Sequence, residues 1–560
     1  MSTQLTDEIK RNIGQHFVFG FHGHVVSDDV KTLIRDYHVG SIILMKRNVQ
    51  SFHQVRNLVC DLQQIAKDAG HTRPLLIGID QENGLVSAFS STATYEAGTQ
   101  FPGAMALAAT GSVDLAEKIA IATGRELRLA GVNWAYSPVA DVNSDPRNPV
   151  IGVRSFGDNP EDVGKFVVAV SRGLTSTGIA PSPKHFPGHG DTHVDSHLAL
   201  PCIDKSKDLL VATELVPFQA AIDDHVASIM TGHMALPQLV GDETPSSLSF
   251  AITTVLLRDE LGFRDSVIVT DCLEMEAVAE KYGSERSAVM SFQAGADIAM
   301  ICHTMSRHRG SVELTYEAVA SGELSLDTLR ASEARISALK DRFVGSWEEV
   351  LSRGIDDAQL ALLREQNAAL SAQAYSSAIA LVGDPVSFRP LSTTTNVLVF
   401  TPVMESLNRA VDDAEGVLRE AGRVRNTAGP SYLAFADSVA RRALREHIVY
   451  SSATTVTAEL KLSIESASAV IFTTRNADRS TWQIDFLRAV LGALPPSTPR
   501  VLLASCAPYD FLNAPDIDSP YLVSFEFTAP ALEAAAAVIF GEVQAKGIVP
   551  VKLEGKSAHR

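Results

Sequence analysis

The stretch KHFPGHGDTHVDSHLALP, Lys184 to Pro201, gathers four of the chain's 16 histidines and two aspartates. Such a concentration could bind a metal, handle protons, or belong to a polar surface loop. Pro187, Gly188 and Gly190 prevent the segment from forming a helix. The helical H-E-x-x-H arrangement of zinc hydrolases is therefore ruled out, although a loop metal site stays open. The acid–base reading rests on Asp195-Ser196-His197. A carboxylate beside an imidazole fixes its tautomer and stabilises its charged form, which suits proton transfer near neutrality. The flanking glycines are expected to let the loop swing His197 over a substrate. A partner on the other side of a reacting bond is supplied by SVIVTDCLEM, where Asp271 ends a β-branched run. Asp271 could also cap a helix, a role compatible with chemistry.

The elements that must position these groups alternate. Candidate strands cover 16–21, 40–44, 74–80, 133–142, 179–186, 227–233, 266–271 and 296–301, with helical patterns such as 112–131 and 160–178 between them. Strand–helix alternation predicts a parallel sheet. Eight such units in about 300 residues match a (β/α)8 barrel of the TIM type. Asp80, Asp141, Lys184, His185, His233 and Asp271 all fall at the C-terminal ends of strands, where a barrel builds its active site. The expected organisation is a barrel over 1–345, a helical connector over 346–374, and a three-layer α/β sandwich over 375–560. Candidate strands of the sandwich are 378–382, 396–402, 447–451, 469–474, 500–505 and 521–527. A barrel site normally needs nothing from a distant domain, so residues 1–345 are expected to contain every catalytic group.

Bulk properties narrow the function. A formal charge of −18 argues against nucleic acid and anionic membranes as partners. No apolar run is long enough to span a bilayer, and the N-terminal residues do not read as a signal peptide. Five scattered cysteines without a C-x-x-C pair suit a reducing compartment, so the expected location is the cytoplasm. No Gly-rich dinucleotide fingerprint opens either domain, and no cofactor or metal is expected.

Taken with DVNSDPRNPVIGVRSFGDNP (141–160), IGIDQENG (77–84) and VIVTDCLEMEAV (267–278), the histidine loop strongly resembles the β-N-acetylglucosaminidase branch of glycoside hydrolase family 3. That resemblance implies a barrel, a connector and a sandwich. It also implies removal of terminal β-linked N-acetylglucosamine with retention of configuration. Residue by residue, it makes Asp271 the nucleophile and Asp195–His197 the acid/base dyad. Asp80 and Arg154 would bind the sugar, and Lys184 and His185 would hydrogen-bond its hydroxyls. His189 and His193 are expected to be structural residues of the loop, while the role of His233 is left open. One departure stands out. The cell-wall-recycling bacterial members continue their aspartate motif as D-Q-E-G-G-R-V-x-R, but here Leu85 and Ala88 occupy the arginine positions. Chitin-type or glycoconjugate substrates are therefore expected over anhydromuramyl peptides. Three alternatives remain at this stage. Because neutral imidazole would not repel an incoming anion, the enzyme could be a phosphorylase. It could instead be a metal-dependent hydrolase using the same loop, or a sugar-binding protein without activity.

Overall fold

The computed structural model describes residues 4–91, 96–192, 200–352, 354–392, 396–404, 419–420, 423–424 and 429–553. Its first part is a barrel of eight parallel strands: β1 (Phe17–Phe19), β2 (Ser41–Leu44), β3 (Leu76–Ile79), β4 (Trp134–Ala135), β5 (Ala180–Pro181), β6 (Ser228–Thr231), β7 (Val267–Cys272) and β8 (Ile298–Ile301). Their order is β5-β4-β3-β2-β1-β8-β7-β6. The seam between β5 and β6 is joined by a parallel bridge between Phe186 and Thr231, with Phe186 N–H donating to the Met230 carbonyl. All eight strands fall where the sequence predicts them, but β4 and β5 are shorter. Pro138, Pro181 and Pro183 remove ladder donors there, and beyond the short strands the two segments stay linked by Ser182 N–H on the Ser137 carbonyl and by the Val139–Lys184 bridge.

Strand residues alternate between two environments, as a closed barrel requires. Val18, Ile43, Leu76, Trp134, Met230, Val269 and Met300 share one interior cluster, which continues into Ile336, Leu339 and Phe343 of the helix Leu326–Phe343. Ile42, Leu44, Ile77, Ile79, Ile229 and Ile268 face the helical layer. Ser51, Ser112 and Asn159 cap three of the outer helices by accepting backbone N–H groups of the first turn.

The helix Asp357–Ala378 leads into a second sheet. Its strands are β9 (Ala380–Val382), β10 (Val397–Pro402), β11 (Arg445–Tyr450), β12 (Ala469–Thr474), β13 (Arg500–Ala504) and β14 (Tyr521–Val523), ordered β9-β14-β13-β12-β10-β11. Only β9 runs antiparallel to its neighbour. Leu398, Phe400, Val470 and Phe472 face one apolar layer, and Val397, Val399, Ala469 and Ile471 the other. The sheet is thus covered on both faces, which is the three-layer sandwich. Among the described residues no helix is long and apolar enough to cross a membrane.

The two parts are joined by buried polar contacts. Glu526, just beyond β14, accepts the Gly103 N–H at 2.8 Å and the Tyr375 hydroxyl at 2.7 Å. Glycine is required opposite it. Gly84 has φ +60°, and a Cβ there would lie 2.7 Å from Glu526 Oε2. Glu526→Ala should leave the Gly103 N–H and the Tyr375 hydroxyl buried without acceptors, costing about 1–3 kcal/mol for each group. Calorimetry should show a lower melting temperature for this variant, and an unchanged one would mean that the contact does not hold the domains.

Candidate active site

Each strand end delivers its residues to one mouth of the barrel. Asp80 follows β3, and Glu82 lies two residues further, in the hairpin Gln81–Asn83/Val86–Ser87. Lys184 Nζ sits between them, 2.6 Å from Asp80 Oδ1 and 2.7 Å from Glu82 Oε1. Arg154, on the short turn Gly152–Arg154, grips Glu82 with two charge-assisted hydrogen bonds of 2.9 and 2.8 Å. The result is a continuous chain, Asp80–Lys184–Glu82–Arg154. Lys184 and Glu82 keep only 3% and 6% of their side-chain exposure, whereas Asp80 keeps 31%, so Asp80 is the member that can meet a ligand directly. Burial alone would raise the Glu82 pKa, but Arg154 and Lys184 outweigh it and hold the group at about 2. Burial would also lower that of Lys184, yet Asp80 and Glu82 raise it.

Asp141, wholly buried after β4, organises the neighbouring loop. It accepts Nδ1–H of His185 at 2.7 Å, the His185 backbone N–H at 3.1 Å and the His189 backbone N–H at 2.7 Å. The first of these bonds fixes the imidazole tautomer. His189 is buried, with Nδ1 2.8 Å from Thr192 Oγ1, and burial pushes its pKa down to about 4. That is the structural role expected of it. His233 is buried too, its Nδ1 bonded to Ser247 Oγ and its Nε2 donating to the Cys272 carbonyl. It therefore positions the end of β7. His193, Asp195 and His197 lie outside the described residues.

Gly188 and Gly190 sit where neighbouring segments leave no room for a Cβ. A Cβ on Gly190 would fall 1.5 Å from the Val142 carbonyl oxygen, and one on Gly188, at φ +122°, 2.7 Å from Cβ of Glu214. These glycines allow close packing of the loop over the segment after β4, and the Asp145 N–H donates to the Gly190 carbonyl.

Asp271 sits within β7, one residue from its end. Its Oδ1 accepts the Cys272 N–H at 2.7 Å. Burial works to raise its pKa, but the fields of His185 and His233, that hydrogen bond and Lys184 bring it down to about 2. It is a carboxylate that stays ionised. The structure thus brings Asp80, Lys184, His185, Arg154 and Asp271 to one mouth, but places Arg154 on Glu82 rather than on Asp80. Glu82 is the functional residue that the sequence reading passed over. Its only signal was a charge balance, since Lys184 and Arg154 are two cations and Asp80 alone supplies one carboxylate.

The description "Glycosyl hydrolase family 3 N terminal domain" matches residues 9–339, more than half of the sequence. The chain belongs to this family. It is 36% identical over 336 residues to "Beta-hexosaminidase A" of Pseudoalteromonas piscicida, covering 56% of this chain and 55% of that protein. A family 3 β-N-acetylglucosaminidase structure from Paenibacillus sp. str. FPU-7 is 32% identical with a TM-score of 0.85, covering 98% of this chain and 99% of that one. A fungal multi-domain family 3 β-N-acetylglucosaminidase is 36% identical with a TM-score of 0.86, covering 98% of this chain and 61% of that one. The chain thus spans little more than half of the Pseudoalteromonas relative and under two thirds of the fungal one.

Leu85 and Ala88, which replace the arginines of the cell-wall-recycling members, are buried. Leu85 packs in the apolar layer of the second sheet with Val399, Ile471 and Phe527, and Ala88 lies in the core outside the barrel strands. An arginine at 85 would have to enter the domain interface.

Removing the charge of Glu82 tests the ion-pair chain. Glu82→Gln leaves Arg154 and Lys184 as under-compensated buried cations, a change worth roughly 3–5 kcal/mol in such settings. The variant should melt well below the parent and lose activity. Retention of both would show that the chain is not what holds the mouth together.

Proposed function

We propose that this chain is a retaining exo-β-N-acetylglucosaminidase that removes terminal β-linked N-acetylglucosamine. One observation carries the reading: Asp271 at the end of β7, its pKa lowered to about 2, in the same barrel mouth as the Asp80–Lys184–Glu82–Arg154 chain. Similarity to proteins named β-hexosaminidase and β-N-acetylglucosaminidase supports the choice of sugar.

Asp80 accepts hydrogen bonds from the distal hydroxyls and is held by Lys184, while Arg154 shapes the pocket by holding Glu82. His185 presents Nε2, because its Nδ1–H is donated to Asp141. Asp271 attacks the anomeric carbon as the glycosidic C–O bond breaks, and His197 gives its proton to the leaving oxygen. The neutral imidazole then takes a proton from water, which displaces Asp271 and releases the sugar with retained configuration. Asp195 orients the imidazole. We read the aglycone as chitin-type or glycoconjugate, supported by the apolar burial of Leu85. A cytoplasmic location fits five cysteines that form no disulfide among the described residues.

Rates on aryl β-N-acetylglucosaminide and aryl β-glucoside should differ strongly in favour of the first, and comparable rates would remove the N-acetyl preference. His197→Ala should lose roughly 10²–10⁴-fold on a disaccharide. It should lose far less in forming the glycosyl-enzyme from a dinitrophenyl glycoside, and azide should then speed turnover. Equal losses on both substrates, without azide rescue, would reject His197 as the acid. Sugar 1-phosphate as the main product in phosphate buffer would make the protein a phosphorylase. Zinc-restored activity after chelation would favour a metal-dependent hydrolase.

The pH profile gives a separate check. A nucleophile must be ionised, and Asp271, lowered to about 2, is protonated only as the pH falls through that value. With a dinitrophenyl leaving group, which needs no acid, kcat/KM should show an acid limb below the ordinary carboxylate range of about 4. A midpoint at or above that range would assign the limb to another group.

A further inference from the structure

Cys272 and Cys302 are 30 positions apart in sequence, yet they meet because β7 and β8 are parallel neighbours, with Met300 in register with Cys272. Both are buried, their thiols hydrogen-bond to each other, and the exposed side chain of His303 hydrogen-bonds to Cys272. Each of the three offers one ligand atom, Sγ, Sγ and a ring nitrogen, and these atoms all lie within 4.8 Å of one another. The turn carrying two of them is fixed from behind. Glu274 Oε2 accepts the backbone N–H groups of Cys302 and His303 at 2.9 and 2.5 Å, and Arg47 Nη2 donates to the Cys302 carbonyl at 2.6 Å.

We propose that Cys272, Cys302 and His303 form a binding site for a zinc-class divalent cation, distinct from the sugar-binding groups. Two thiolates and an imidazole are the donor set such ions favour, and three protein ligands leave a fourth position for water. The open side is that of His303, the exposed member, so an ion can enter from solvent. Binding releases the thiol protons, and the ion then bridges the ends of β7 and β8.

Place determines the consequence. Cys272 follows Asp271 and gives that carboxylate its backbone hydrogen bond. Cys302 lies near enough to Asp80 for that charge to act on its thiol. A cation here pulls on the strand end whose backbone hydrogen bond holds Asp271 and lies within the field of Asp80, so occupancy inhibits glycoside cleavage. This inhibition rests on the role proposed for Asp271, whereas metal binding itself does not.

The test uses the full chain, reduced, stripped with a chelator and titrated with Co²⁺ without oxygen. The expected result is a thiolate-to-metal charge-transfer band with strong tetrahedral d–d absorption, saturating at one ion per chain and bleached by Zn²⁺. His303→Gln, at an exposed position, and Cys302→Ser should each weaken binding roughly tenfold or more. His193→Gln in the histidine loop should not. Zn²⁺ should inhibit aryl N-acetylglucosaminide hydrolysis by the parent, with His303→Gln correspondingly resistant. Absence of the band overturns the site, as do unchanged affinities in both variants or its loss in His193→Gln. Oxidation of the two thiols to a disulfide in a chain that takes up no Co²⁺ overturns it as well. A normal band in a protein that cleaves no glycoside would instead retain the metal site and reject the hydrolase reading.

Discussion

The buried chain Asp80–Lys184–Glu82–Arg154 constrains everything else at the barrel mouth. Two cations have been taken almost entirely out of water, which costs several kcal/mol per ion unless matched charges and hydrogen bonds replace hydration. Glu82 supplies most of that replacement by bonding Arg154 twice and Lys184 once. Asp80 can therefore stay partly exposed, with one contact to Lys184 and the rest of its lone pairs directed elsewhere. The same positive field reaches Asp271, where Lys184, His185 and His233 overcome the penalty of burial. One charge balance thus acts on both carboxylates. It keeps Asp80 available to accept hydrogen bonds and Asp271 ionised.

Asp141 plays the matching part for the loop after β5. It takes three N–H groups from His185 and His189, so a single carboxylate fixes an imidazole tautomer and the path of the backbone. Asn148 adds to this by donating to the His189 carbonyl and Thr192 Oγ1. The loop is packed up to Thr192, and its glycines are there because carbonyl and side-chain atoms of neighbouring segments leave no room for a Cβ.

Much of this architecture was legible because barrel strands are short, β-branched and bounded by turns, and because residues at their ends share one mouth whatever the loop conformations. That is why Asp80, Asp141, Lys184, His185, His233 and Asp271 could be grouped before any coordinates, whereas Arg154, on a turn beyond β4, entered only through the family resemblance. What escaped depends on details that patterning does not encode. Glu82 looked like a motif neighbour of Asp80, and only the burial of Lys184 and Arg154 shows why two carboxylates are needed. Gly188 and Gly190 carried no sign of whether they serve motion or close approach, since both uses need the same missing Cβ. Cys272 and Cys302 seemed scattered because adjacency across parallel strands follows from register rather than spacing. Leu85 looked like a missing cation and proved to be an apolar contact between domains.

That last contact changes how the two domains should be viewed. A barrel site is expected to be self-sufficient, yet the segment after β4, which ends in Arg154, is held from the other side. Asn143 donates to the Tyr509 hydroxyl at 2.8 Å, and Arg479 donates to the Asn148 carbonyl at 2.9 Å. Val153 packs against apolar layers of the second sheet, as Leu85 does. The segment 547–552 returns along the barrel, with Ile548 N–H on the Ala109 carbonyl and Lys552 N–H on Asp158. The residues that carry Arg154 and anchor the histidine loop thus lie between two domains. Asn148 shows the coupling most directly, because its side chain holds the loop while its carbonyl is held by the sandwich. Movement of the second domain would reach the charged groups of the barrel mouth through that residue.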